Sequence, residues 1–525
     1  MKKKVSKIFA IIIAAIMLLA CSSTISHATI TTSTNTGKIT VDGVEAGVNV
    51  TVYQLTTVNY DYTADQPTAT PYEWIPAVKT WIHTNYPTYE NPENFNSEDI
   101  SSDTAKAFYD ALTAAIKAGT ITVPAANTET KPATGTAAYP VVADKKVEFT
   151  DKAMGTYLVV IENGYRVYTP SAVNLTPTFN TTNNQWELAS NVNVEIKSTT
   201  PQIKKTVTDN VKQADNYSTK DDIPFTIVAD IPTYLTSSRA DKYTISDVLN
   251  DGLNLKNGTI RVYGVSAGGT ETELTANEAY TLTTTNAKNN AGDDVDYSVD
   301  FDYDDIKTYS KVKITYTATL DKSASTVEGS AANNGTAYLD YSNNPYDTAS
   351  VQTQTSSTKV FTYGAQITKT DKADSTRKLP GAEFTLSQGA NALYFVNVSG
   401  VYYQANSTDS GATTTLVTDS NGLLKLYGLD AGTYVLTETK APNGYTLATN
   451  TVSIEIKDDN VDGTIEGTGV TSGATGIYTL DFPNPKGFQL PVTGGIGTTL
   501  FIAGGIVFVG IGIALFAVAV KRRKK

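Results

Sequence analysis

The chain has 525 residues, a formal charge of −12, two histidines and one cysteine. That length leaves room for about three domains, and an acidic balance excludes a nucleic-acid partner, which needs a basic footprint. Ser/His/Asp sets, CxxC pairs, HExxH helices and phosphate loops are absent from the sequence, so neither an enzyme with turnover nor a metal or cofactor site is expected.

The N-terminus reads as an export signal. Lys2, Lys3, Lys4 and Lys7 precede an apolar run from Ile8 to Ala20, and Ser26-His27-Ala28 has the small-x-small form of a cleavage site. Cleavage there places the mature start near Thr29 and discards both Cys21 and His27. His83 is then the one histidine left, in Trp81-Ile82-His83-Thr84-Asn85, and reads as a surface residue. Without the four lysines of this segment and the five basic residues of the C-terminus, the exported part carries −21, which suits a soluble extracellular protein. With no mature cysteine, disulfides cannot staple it.

Abundant Thr, Ser, Asn, Gly and Tyr in short alternating segments predict β-sandwiches. Residues 29–196 form the first expected domain, with strands at Lys38–Val41, Val48–Tyr53, Val147–Phe149 and Tyr157–Ile161. Ala107, Phe108, Ala111, Leu112, Ala115 and Ile116 recur at helical spacing and predict a helix between Asp103 and Gly119, capped by Ser102 or Asp103. Residues 197–357 form the second, with strands at Asp222–Ile231 and Val312–Leu320. Alternation in Ile203-Lys204-Lys205-Thr206-Val207 turns Lys205 inward and leaves Lys204 exposed. Residues 358–488 form the third domain.

The chain closes, over 489–525, with Leu490-Pro491-Val492-Thr493-Gly494, an uncharged apolar run from Ile496 to Val520, and Lys521-Arg522-Arg523-Lys524-Lys525. The run is long enough to span a bilayer as a helix, and the basic cluster would hold the C-terminus in the cytoplasm. This order resembles the LPXTG cell-wall sorting signal of Gram-positive surface proteins. The resemblance implies that a sortase cuts between Thr493 and Gly494, keeps the threonine as a thioester, and passes it to an amine. Leu18-Leu19-Ala20-Cys21 also resembles a lipobox, an alternative processing route that would lipidate Cys21.

Tyr434-Val435-Leu436-Thr437-Glu438-Thr439-Lys440-Ala441-Pro442-Asn443-Gly444-Tyr445 resembles the YxLxExxAPxGY box of Cna-B-type domains. Lys369, followed by Leu379-Pro380-Gly381-Ala382-Glu383-Phe384, is similar to that family's opening, and Asn484 to its terminal asparagine. The resemblance implies a Lys369–Asn484 isopeptide bond promoted by Glu438. Burial would favour the neutral amine, the nucleophilic form, and the protonated acid would polarise the asparagine amide. The second domain resembles the middle, Cna-A-like domain of backbone pilins. There Tyr243-Thr244-Ile245-Ser246-Asp247-Val248-Leu249 casts Asp247 as the promoting acid for Lys205. The acceptor is open. The family's last-strand asparagine would fall at Gly335, so either a bulge brings in Asn334 or Asn343 serves.

Trp186 and Val192-Asn193-Val194-Glu195-Ile196-Lys197 resemble the pilin motif of sortase-assembled pili, with Glu195-Ile196 replacing Tyr-Pro. Lys197 is thus the expected acceptor amine. Together the resemblances imply tandem immunoglobulin-like sandwiches in a rod with a transmembrane sorting helix, forming a major pilin. Its expected partners are a class C sortase, a housekeeping sortase, identical subunits head to tail, minor pilins, peptidoglycan and a host ligand. A monomeric wall-anchored adhesin is the alternative.

Overall fold

The structure is a computed structural model that describes residues 27–95, 103–138, 144–208, 211–235, 242–250, 252–324, 333–466, 476–487 and 496–522. Two compact units are present. One comprises Met1–Asp215, Asp222–Thr319 and Asn333–Val360, and the other Asn216–Asp221, Leu320–Ala332 and Phe361–Lys525.

The first unit begins with a sandwich. Its principal elements are β1 (Thr36–Val44), β2 (Asn49–Gln54), α1 (Pro76–Asn85), α2 (Asp103–Lys117), β3 (Lys145–Ala153), β4 (Gly155–Glu162) and β5 (Asn191–Glu195). One sheet runs Ser171–Leu175, β4, β2, Thr128–Pro132, and the other β5, β1, β3, with β5 parallel to β1. Ile39, Val41 and Phe149 of the second sheet share a core with Val50, Val52, Tyr157, Val159 and Ile161 of the first. Side chains alternate along a strand, so Leu158 and Val160 of β4 face the other way. They pack with Phe108 and Leu112 of α2 and with Val78 and Ile82 of α1. The unbroken apolar run of β4 is therefore explained by cover on both faces.

The predicted helix is α2, and it stops where Gly119 takes φ +73°, a left-handed C-terminal position that glycine adopts without strain. Phe108 and Leu112 are buried as expected, but Ala107 is exposed. Helix α1 was not foreseen. Its signal was Pro76 at the first helical position, followed by Val78 and Ile82 one turn apart. His83 lies on its outer face beside Glu90, with Nδ1 3.2 Å from Oε2.

The second sandwich of this unit contains β6 (Ile203–Val207), β7 (Asp222–Asp230), β8 (Tyr243–Leu249), β9 (Tyr297–Phe301), β10 (Lys311–Leu320), β11 (Asn333–Ser342) and β12 (Val351–Phe361). β6, β7 and β10 are consecutive in one sheet, and β12, β11, β8 and β9 in the other. The other unit holds the third sandwich, with β13 (Tyr363–Asp371), β14 (Glu383–Gln388), β15 (Leu423–Leu429), β16 (Gly432–Lys440), β17 (Val452–Ile456) and β18 (Ile477–Asn484). β15, β13 and β18 are neighbours in one sheet, with β18 at its edge and parallel to β13, and β14, β16 and β17 in the other.

A terminal helix, α3 (Ile496–Arg522), occupies the apolar run. Among the described residues no helix is long and apolar enough to cross a membrane, so the spanning role of 496–520 rests on the sequence. Ile506, Phe508, Ile513 and Phe516 of α3 are exposed. Leu490, Pro491, Val492, Thr493 and Gly494 lie outside the described residues.

The double-sided packing of β4 has a measurable consequence. Phe108→Ala should destabilise the first sandwich by about 3–5 kcal/mol, read as a lower denaturant midpoint with an unchanged slope.

Candidate functional site: buried lysines between sheets

In the third sandwich, β13 and β18 run side by side with Lys369 opposite Phe482 and Asp371 opposite Asn484. Phe482 and Asn484 point inward while Pro483 between them is exposed. Pro483 and Pro485 are tolerated because β18 is an edge strand, where a missing backbone donor costs little. Lys369, Glu438 and Asn484 are all buried.

Their contacts form a closed relay. Lys369 Nζ donates to Asn484 Oδ1 and, at 2.9 Å, to the carbonyl of Phe482. Asn484 Nδ2 donates to both oxygens of Glu438, at 2.9 and 2.8 Å. Glu438 Oε1 is 3.5 Å from Lys369 Nζ. The carboxyl thus touches both the attacking amine and the nitrogen that would leave, the arrangement a proton shuttle requires. Burial lowers the Lys369 pKa to about 8, against the opposing pull of Glu438. The Phe482 ring lies 4.7 Å from the amine.

The turn after the glutamate supports the site. Tyr445 N–H donates to the Pro442 carbonyl (3.0 Å), and the Thr446 carbonyl accepts from Asn484 Nδ2 at 3.0 Å. Ala448 N–H donates to Glu438 Oε2 at 2.8 Å, and Tyr445 hydroxyl to Asp371 at 2.9 Å. The Ala-Pro-Asn-Gly-Tyr segment therefore returns the chain over the asparagine and fixes the acid.

The second sandwich brings together only part of its expected set. Lys205 is buried and Lys204 exposed, as alternation predicts. Lys205 Nζ donates to Asp247 Oδ1 at 2.6 Å. Asp247 Oδ2 accepts from the hydroxyls of Tyr316 at 2.7 Å and Tyr297 at 3.4 Å. Burial lowers the Lys205 pKa and Asp247 pulls it back up. The same burial, with Asp247 adding to it, raises both tyrosines well above their ordinary value.

Asn334 is not part of this cluster. β11 pairs with β8 and β12 in unbroken register, so the expected bulge is absent, and Gly335 is the residue on the inward face. Asn343 is engaged elsewhere. Its Nδ2 donates to the Gly164 carbonyl at 2.6 Å, and its Oδ1 accepts from Ser350 at 2.8 Å. Asn344 donates to Glu162 and Tyr346 to Asp110 nearby, so this turn fastens the second sandwich to the first.

Lys197 follows β5 at the junction of these two sandwiches, is half-buried, and accepts a hydrogen bond from Thr169 N–H through its carbonyl. Burial, and secondarily the charge of Lys106, lowers its pKa. Trp186 packs on Phe179 with ring centres 5.4 Å apart, a structural role. Sequence reasoning missed Tyr297 and Tyr316. Both sit on strands whose alternation turns them inward, but nothing local shows that two inward tyrosines will meet one aspartate.

Comparisons with known proteins bear on the fold and on the C-terminal motif. Residues 364–471 match the SpaA prealbumin-like fold domain, and 483–525 match the LPXTG cell wall anchor motif. The chain is 24 % identical over 406 residues to the trypsin-resistant surface T6 protein of Streptococcus pyogenes, covering 62 % of this chain and 70 % of that one. It is 25 % identical over 370 residues to the fimbrial subunit type 1 of Actinomyces viscosus, covering 63 % and 66 %. The fold is similar to that of the T6 backbone pilin of Streptococcus pyogenes, with a TM-score of 0.56 at 17 % identity over 86 % of this chain and 99 % of that structure.

Two outcomes follow from the relay geometry. Glu438→Gln should leave Lys369 and Asn484 unjoined, so that intact-mass analysis no longer finds the deficit of one ammonia from the sequence mass that this link gives the unaltered chain. The link would close a separation of 115 residues, and by loop-entropy arithmetic its loss should cost about 4–5 kcal/mol, measured in denaturant. Joining should also depend on pH. The neutral amine is the reactive form and burial lowers the Lys369 pKa to about 8, so the joining rate in chains folding for the first time, as in cell-free synthesis, should climb as pH rises toward that value. Above it the rate should level off.

Proposed function

We propose that this chain is the backbone subunit of a sortase-assembled Gram-positive pilus, with Thr493 of one copy joined to Lys197 of the next. The observation that carries the polymer reading is the placement of Lys197. The residue is half-buried, lies two places after the strand Asn191–Glu195 of the first sandwich, and has its pKa lowered by burial and then by the charge of Lys106, the direction that favours a nucleophilic amine. The anchor motif on the same chain supplies the electrophile.

In this mechanism the sortase thiolate attacks the Thr493 carbonyl and the Thr493–Gly494 bond breaks, with Gly494 leaving as an amine. Lys197 Nζ then attacks the thioester, loses a proton, and expels the thiolate. Each addition leaves a free Lys197 at one end and an activated Thr493 at the other. Such a head-to-tail contact does not close and so grows a fibre. The last subunit passes its Thr493 to a peptidoglycan amine, and the product stays outside the cell on the wall. The chain is a structural subunit rather than an enzyme with turnover.

The subunit's working parts are the sandwiches bounded at 29–196, 197–357 and 358–488, with 1–28 removed on export and 489–525 serving as the sorting signal. Within the third, Lys369 Nζ attacks Asn484 Cγ, Glu438 relays the proton to Nδ2, and ammonia leaves. Pilus-type and housekeeping sortases, minor pilins and a host ligand are the partners this role calls for.

Lys197→Ala decides between a polymer and a single anchored copy. Replacement should abolish the ladder of high-mass, SDS-resistant species on immunoblots of wall extracts, while monomer remains attached to the wall. A ladder that persists would show that Lys197 is not the acceptor amine, and the absence of any ladder from the unaltered strain would support the monomeric wall-anchored adhesin.

A further inference from the structure

The second sandwich holds an amine and an acid in the relation seen in the third, but a glycine where the third has its acceptor. Gly335 lies opposite Leu249 in the β8–β11 ladder, and Asp247 lies opposite Ala337 two residues along on the same face. Gly335 has an ordinary negative φ, so the backbone there does not require glycine. What occupies the space of a side chain is Lys205. A β-carbon added at 335 would fall against Lys205 Nζ, closer than any non-bonded pair can sit, with Lys205 Cε at 3.3 Å and Leu249 Cδ2 at 3.1 Å.

That closeness has a chemical meaning. In an amide the carbon and the nitrogen attached to the carbonyl carbon sit about 2.4 Å apart, from bond lengths of about 1.52 and 1.33 Å. Lys205 Nζ therefore stands where the nitrogen of a side-chain amide built from position 335 belongs. The other described asparagines of this strand do not reach it. Asn333 donates to the Val360 carbonyl at 3.2 Å, and Asn334 is on the opposite face.

We infer that the second sandwich of the natural chain is held by a non-covalent Lys205–Asp247 pair, and that position 335 is a dormant acceptor site which a single carboxamide would turn into a cross-link. The step balances. Neutral Lys205 Nζ attacks the introduced Cγ, a new C–N bond forms, and the bond from Cγ to its amide nitrogen breaks. Asp247 takes the proton from Nζ and returns it to the leaving nitrogen, which departs as ammonia. The hydroxyls of Tyr316 and Tyr297 hold the other oxygen of Asp247 and aim it. As it stands, the buried pair confers no permanent tether. One sandwich of the subunit is thus free to unfold and refold while the third is locked.

This rests on the lysine–asparagine chemistry proposed for the third sandwich, so the test reads the two lysines separately. The exported part of the natural chain and its Gly335→Asn variant are purified, weighed intact, and mapped after proteolysis for the peptides containing Lys205 and Lys369. The natural chain should yield a linear Lys205 peptide whatever is found at Lys369. A branched Lys205 peptide overturns the inference. Gly335→Asn should fall short of its own sequence mass by one ammonia more than the natural chain falls short of its own, with Lys205 joined to residue 335, and adding Asp247→Ala should remove that extra deficit. Gly335→Asp serves as a second acceptor and should lose water instead. Linear Lys205 in folded Gly335→Asn, or failure of both variants to fold, overturns the acceptor assignment. A linear Lys369 peptide alongside a branched Lys205 peptide in Gly335→Asn would sink only the third-sandwich reading.

Discussion

A lysine amine buried between two sheets is the constraint around which this molecule is organised. An ammonium without water is costly, and the structure can offset that cost with a counter-charge, with an aromatic face, or by removing the charge in a covalent bond. Both buried lysines have the first two. Lys205 has Asp247 and the rings of Phe225 and Tyr316, and Lys369 has Glu438 and the ring of Phe482. Only Lys369 also has a carboxamide in reach, donated by the neighbouring parallel strand.

The difference between the two sites follows from topology. In the third sandwich the first and last strands are adjacent and parallel, so a lysine on one and an asparagine two places along the other share a face. The edge position of β18 lets two prolines flank that asparagine without breaking the ladder. In both sandwiches the acid faces the lysine from the opposite sheet, but in the second the strand that should complete the set, β11, also lies in that opposite sheet, and it presents glycine. A fixed fold therefore supports either a permanent tether or a reversible ion pair, and one side chain selects between them.

Mechanical logic links these sites to the junction lysine. Lys197 follows the last strand of the first sandwich, and a turn bearing Asn343, Asn344 and Tyr346 fastens the second sandwich to the first through Gly164, Glu162 and Asp110. Burial, and after it the positive charge of Lys106, disfavours the protonated form of the Lys197 amine. The same turn explains why Asn343 is unavailable for cross-linking chemistry: its Nδ2 is used on Gly164 of the first sandwich and its Oδ1 on Ser350 of its own.

Much of this was legible in the sequence, because it depends on short-range patterns. Alternation placed Lys205 inward and Lys204 outward, helical spacing located α2, and the resemblance of the Tyr434–Tyr445 box to that of Cna-B-type domains named Lys369, Glu438 and Asn484, which the fold brings together. The sorting pentapeptide, the apolar run and the basic end are also properties of the linear chain. What the chain could not disclose was strand register and the meeting of distant faces. Whether Asn334 or Gly335 confronts Lys205 depends on one residue of register, and a one-residue shift exchanges the two faces. Tyr297 and Tyr316 reach Asp247 from strands separated in sequence, and β4 is covered on its second face by helices that come earlier in the chain. Local sequence sets which way a side chain points along its own strand. Tertiary packing alone sets what it meets there, because the partner's position is decided by pairings summed over the whole sheet.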